Sequence, residues 1–187
     1  MRAAAGRLDA DYRAALIDLG IDARDIDGHR GLCGIERVSI SNGLYAPAPN
    51  GDVVVVTPVR LERGTTPQSR RPRIFSQWGP IVDLVAWHPS APEQMALRVG
   101  AATWLGCIEP QYLEPEAVLI HRSALDWLRA GRSGLVLLSD EPADQYPILA
   151  GCLGGLVAAD EAHARTLRRA LACPWRAPTV EAAHACV

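Results

Sequence analysis

Residues 118–172 read VLIHRSALDWLRAGRSGLVLLSDEPADQYPILAGCLGGLVAADEAHARTLRRALA, and their periodicity decides the fold class. VLI (118–120), LVLLS (135–139) and LVAA (156–159) are short apolar runs of strand length. Between them lie segments with helix punctuation. Ser123 and Asp126 form an S-x-x-D capping box for a helix over 124–130, closed by Gly131. Asp140 and Pro142 open a second, short helix that Pro147 disturbs and Gly151 ends. Asp160 caps EAHARTLRRALA, whose Ala164, Leu167, Ala170 and Leu171 make one apolar stripe, and Cys173-Pro174 stops it. Three strands alternating with three helices predict right-handed crossovers and a parallel sheet.

Upstream the period changes. RLDADYRAALIDL (7–19) puts Leu8, Tyr12, Ala15, Leu16 and Leu19 on one helical face, with Gly20 as the stop. Residues 21–34 are a turn-rich connector, and a helix–turn–helix beginning there would have a short, acidic second helix that suits a DNA groove badly. From Ile35 a meander of strands follows, with Asn42-Gly43 and Asn50-Gly51 as hairpin turns. Val53 to Val56 is apolar without alternation, which predicts a central strand covered on both faces. Pro47, Pro49 and Pro58 mark edges or strand ends. IVDLVAW (81–87) reads as a strand ended by His88-Pro89, residues 92–106 as a helix, and 107–115 as a Pro-bounded loop.

The expected fold is therefore a single α/β or α+β domain over residues 1–175. It combines an N-terminal helix and antiparallel meander (1–60) with a βαβαβα part (116–175), joined in one mixed sheet, and residues 176–187 form a frayed tail.

Composition bounds the function. Ala, Arg, Gly and Pro are abundant, lysine is absent, and only one Phe occurs. That is the codon signature of a GC-rich, most simply bacterial, genome, so arginine in place of lysine carries no chemical message by itself. With 49% apolar and 21% charged residues the chain is of globular composition. A net charge of −2 gives no overall attraction for nucleic acid or an anionic membrane. No apolar run approaches the ~20 residues of a membrane span. Asp9 and Asp11 interrupt the N-terminus before any signal-peptide core forms. Five widely spaced cysteines without a CxxC fit a reduced chain, so the expected location is the cytoplasm.

Two places hold candidate chemistry. In a parallel sheet ligands bind beyond the carboxyl ends of the strands. There the sequence places His121-Arg122, Ser139-Asp140 and Asp160-Glu161. His121, Asp140 and Asp160 are the candidate acid–base residues of an enzyme; the competing reading is that Asp140 and Asp160 are simply helix caps. The second place is RLERGTTPQSRRPR (60–73), with five Arg against one Glu. Arg70, Arg71 and Arg73 are candidates for phosphate contact, and Phe75 and Trp78 follow as a stacking surface or as the loop's anchor.

Other patterns are empty. There is no phosphate loop of either common kind, no D-x-D after a strand and no GxSxG. His163, Cys173, His184 and Cys186 match no zinc spacing, and Cys107 and Cys152 lack a paired base. No metal and no cofactor are expected. The five Trp supply core bulk.

The strings GLCGIERV (31–38), VVTPV (55–59), IVDLVAWHP (81–89), ALRVGAA (96–102), EPQYL (109–113), DWLRAG (126–131) and GLVLLS (134–139) carry a resemblance over most of residues 28–175. The chain resembles a family of uncharacterised proteins encoded in prophage-like or integrated elements of GC-rich bacterial genomes. The resemblance implies a setting, an accessory gene of a mobile element near replication functions, and carries over no catalytic residue. The leading expectation is a protein that acts by binding nucleic acid or a replication protein, through residues 60–78 or 88–115, with no membrane partner. An enzyme using the His121, Asp140 and Asp160 rim is the alternative, and a structural component of a phage-like element is the third.

Overall fold

The computed structural model describes residues 10–23, 26, 33–60, 81–106, 117–152 and 154–172. Helix α1 (Ala10–Asp18) leads into strands β1 (Gly34–Ser41), β2 (Leu44–Pro47), β3 (Asp52–Arg60), β4 (Ile81–His88) and β5 (Ala91–Leu97). These five close into a barrel in the order β1-β2-β5-β4-β3. A second, four-stranded sheet contains β6 (Trp104–Gly106), β7 (Val118–His121), β8 (Leu135–Leu137) and β9 (Leu156–Ala158), in the order β6-β8-β7-β9. Helices α2 (Ala124–Arg129), α3 (Pro142–Ala150) and α4 (Glu161–Ala172) alternate with β7, β8 and β9.

The α+β class and the element order of the C-terminal third are as the sequence predicts. β7 pairs in parallel with β8 and β9, while β6 adds an antiparallel edge. Each sheet is thus mixed, but the two strand sets do not join in one sheet. The reason lies in β5 and β2. Residues 92–106, expected as a helix, instead form β5 and β6. Their Ala, Leu, Met, Gln and Glu favour a helix locally, yet Ala96 stands opposite Ala86 and Met95 opposite Trp87, so the unpaired edge of β4 overrides propensity. Leu44 then pairs in parallel with Leu97, and the barrel closes.

Of the two Asn-Gly turns, Asn42-Gly43 forms the β1–β2 hairpin, with φ of 52° and 72° as a type I′ turn needs. Asn50-Gly51 makes no hairpin. β3 pairs with β1, not β2, and Val38 is the exchange point, standing opposite both Pro47 and Asp52. Pro58 is tolerated inside β3 because the β1 pairing stops at Val56.

Alternation along the strands divides the core. Val54 and Val56 face the barrel lumen with Val38, Tyr45, Ala86 and Ala96. Val55 and Val59 face outward with Val85 and Trp87, against Leu125, Trp127 and Leu128 of α2 and Leu16 of α1. The run Val53–Val56 therefore lies in a strand covered on both faces, as its composition predicts. On the far side of the second sheet, Val118, Ile120 and Leu135 meet Ile148 and Leu149 of α3 and Leu167 and Ala170 of α4. α1 keeps its predicted stop: Ile21 N–H donates to Leu16 O at 3.1 Å, the wrapping hydrogen bond of a helix terminus. Its expected apolar face is narrower than the sequence reading, since Leu16 is buried whereas Tyr12 and Ala15 are exposed. Leu8 lies outside the described residues.

Trp87 is fully buried in this core, and its indole N–H donates to Thr57 Oγ1 at 3.1 Å. Asp83, four residues earlier on the same strand, is 2% exposed. Its carboxylate binds the backbone N–H groups of Leu84, Arg98, Val99, Ala101 and Ala102 at 2.7 to 3.3 Å. Burial pushes this carboxyl upward, but the N–H groups of Leu84, Val99, Ala101 and Ala102 outweigh it and hold it below the ordinary carboxylate value. The group thereby fixes the segment that carries the chain from the barrel into the second sheet.

Candidate functional site

Parallel strand β7 lies between β8 and β9, with α2 on one face of the sheet and α3 and α4 on the other. The helices that follow the neighbouring strands β7 and β9 thus lie on opposite faces, and the rim between these strands is a topological switch point, where open α/β sheets bind ligands. That rim carries Arg122 from the end of β7, Asp160 and His163 from the start of α4, and Glu93 from barrel strand β5.

Consecutive residues of a strand point to opposite faces, which separates His121 from Arg122. His121 is buried, and its Nε2 donates to Ser133 O at 2.8 Å. Trp127 Nε1 donates to the next carbonyl, Gly134 O, at 3.2 Å. The imidazole is therefore a strut under the α2–β8 turn, and one ring proton is committed to the backbone. Arg122 turns the other way. Its Nη2 donates to Asp160 Oδ1 at 2.7 Å, and its Nη1 lies 3.6 Å from Glu93 Oε1.

Asp160 is the N-cap of α4, as predicted: Oδ1 accepts the N–H of His163 at 2.9 Å. That backbone bond first, and Arg122 second, hold its carboxyl below the ordinary value. His163 Nδ1 in turn accepts the N–H of Ala159 at 3.3 Å. Burial and then the Arg122 charge lower its pKa, against the smaller opposite pull of Asp160 and Glu93.

Asp140 departs from its expected role as a cap. The N-cap position of α3 is Glu141, which makes no side-chain cap bond. Ser139 organises the turn instead, accepting the N–H of Glu141 at 3.2 Å and donating to Asp144 Oδ2 at 2.7 Å. Asp140 itself is exposed. The capping box at Ser123 is formed: its hydroxyl accepts the N–H of Asp126 at 3.1 Å and donates to Asp126 Oδ2 at 2.7 Å.

Of the three rim candidates, then, His121 is bound to Ser133 and Asp160 to Arg122 and its own helix, while Asp140 stands in an exposed turn. They make no hydrogen bond to one another. The rim group that the fold does assemble is Glu93, Arg122, Asp160 and His163, with His121 close enough to act on His163. Glu93 escapes sequence reading because its segment looks helical. Asp83 escapes it too, although a lone acid inside IVDLVAW is itself a signal, since a buried charge demands partners.

Among the described residues no group of three or more His, Cys, Asp or Glu could hold a metal ion. Cys107, Cys173, His184 and Cys186 lie outside them, as do Arg70, Arg71, Arg73, Phe75 and Trp78. What is described is where the basic segment attaches: Arg60 ends β3, Ile81 begins β4, and the two stand opposite each other in the ladder. Among the described residues no helix is long and apolar enough to cross a membrane. Comparison of the chain with protein-family models, curated proteins and solved structures found no match.

Proposed function

We propose that this is a non-enzymatic accessory protein of a bacterial mobile element that binds nucleic acid through the basic segment after β3. The observation that carries the reading is the Arg60–Ile81 pairing. Two adjacent antiparallel strands need only two to five residues to connect them. Here residues 61–80 intervene, and they contain Arg63, Arg70, Arg71 and Arg73 against Glu62. A connection of that length and charge, whose described ends Arg60 and Ile81 stand together at one rim of the barrel, has the chemistry to contact phosphate.

The barrel's connectivity supports this by analogy. An oligonucleotide/oligosaccharide-binding barrel makes a three-strand meander, pairs its last strand in parallel with strand five, and closes through a hairpin of strands four and five. The present barrel has the same pairings with the hairpin (β1–β2) first and the meander (β3–β4–β5) second. In those barrels the loop between the first two meander strands contacts nucleic acid, and here that loop is 61–80. Their usual binding face on the next two strands is occupied in this chain by α2, so contact falls to the loop. The mobile-element setting rests on the sequence resemblance alone.

The test is binding of a labelled single-stranded oligonucleotide over a salt series. Three neutralised phosphates give a slope of log K against log salt of about −2. Replacing Arg70, Arg71 and Arg73 by Ala removes most of it; wild-type binding that ignores salt, or none at low salt, rejects the proposal.

A further inference from the structure

We propose that His163 is an acid-operated release for the clasp that ties helix α4 to the rest of the molecule. Arg122 is the node of that clasp. It joins Glu93 on the barrel to Asp160 at the head of α4, and so spans the two layers. His163 sits in the first turn of α4 with its Nδ1 accepting the Ala159 N–H, which fastens the β9–α4 junction. A ring nitrogen can accept that bond only while unprotonated.

Protonation has two consequences that follow from the geometry. The Ala159 N–H then meets an N–H and the junction bond is lost. A second cation also appears beside Arg122, and both now compete for Asp160, whose Oδ1 already serves Arg122 and the His163 backbone. The charged and titratable groups facing His163 are Arg122 and His121 from the end of β7, Glu93 from β5 and Asp160 at the head of α4. Burial and the two basic neighbours oppose the proton, and they outweigh the two acids, which favour it from where they stand. The imidazole is depressed below its ordinary 6.5 in the folded chain. Its contribution to holding α4 is therefore fully present above that ordinary value. It is lost as pH falls toward the depressed folded value.

The experiment is hydrogen exchange of the α4 amides in the full chain between pH 8 and pH 5, corrected for intrinsic rates, with the His163 ring followed by NMR. In the wild type, α4 protection falls by about tenfold for each unit by which the ring is depressed. His163→Gln, neutral at every pH and still able to accept from Ala159, keeps α4 protection flat across the range while the barrel amides behave as in the wild type. Asp160→Asn, which removes the contested charge while keeping a cap acceptor, starts with weakened α4 protection at pH 8 because the Arg122 ion pair is gone. Acid loosening of α4 that persists in His163→Gln, or wild-type protection that does not change while the ring titrates, overturns the proposal.

Discussion

Asp83 and Ala101 are joined by a 2.7 Å hydrogen bond from the Ala101 N–H to Oδ2, the shortest of five backbone bonds that converge on one buried carboxylate. A charge buried in a strand is stabilising only when its acceptor sites are filled, and here Leu84 of the same strand fills one and residues 98–102 the other four. Asp83→Asn supplies one oxygen where two are needed and turns an NH₂ toward other N–H donors. The expected loss is about 3 kcal/mol in urea unfolding at pH 7.

The same residue contributes to the acid limb of stability. Its folded pKa is depressed, so its contribution is complete above the ordinary carboxylate value of about 4 and disappears as pH falls through the folded value. Asp83→Asn flattens unfolding free energy against pH below that point. A variant as acid-sensitive as the wild type removes Asp83 from this role.

Thr57 and Trp87 form a polar contact inside the core between barrel and helices. Thr57→Val keeps the shape and strands the indole N–H, at a cost of about 1–3 kcal/mol by denaturant titration. Thr57→Ser keeps the acceptor and costs only about the burial of a methyl group, ~0.8 kcal/mol. Equal losses in the two variants show that packing, not the hydrogen bond, matters there.

Gly134 has φ of +83°, and a Cβ on it falls 2.2 Å from Leu119 O and 3.2 Å from His121 Nε2. Gly134→Ala must therefore shift strand β7 or eject the His121 strut, with a loss above about 2 kcal/mol. An NMR titration of the His121 ring in this variant shows whether the Ser133 bond survives.

Asp140 and Asp160 look alike in the sequence, each an acid after an apolar strand and before a helix. Asp160→Asn keeps a cap acceptor but loses the Arg122 ion pair and the negative charge at the α4 N-terminus, so its melting temperature falls. Asp140→Asn, in an exposed turn, melts with the wild type. The reverse order overturns the assignment of caps given above.

That contrast defines how much of the site is legible. Asp160 and the Ser123 capping box are readable because a cap acts on N–H groups two or three residues away. The Arg122–Asp160 pair joins residues 38 apart, and Glu93 enters it only because residues 91–97 became a strand of the barrel. No local pattern encodes such a meeting.

The chain by itself determined the βαβαβα alternation, the Asn42-Gly43 turn, the Gly20 stop and the doubly buried strand at Val53–Val56. Each is set by periodicity or turn chemistry acting over a few residues. Tertiary structure alone decided that the meander closes on itself, that residues 91–97 abandon a helix for β4, and that Asp83 and Arg122 become the charged nodes of their layers. Those outcomes depend on pairings such as Leu44 with Leu97. There an open strand edge offers more backbone hydrogen bonding and burial than local propensity opposes.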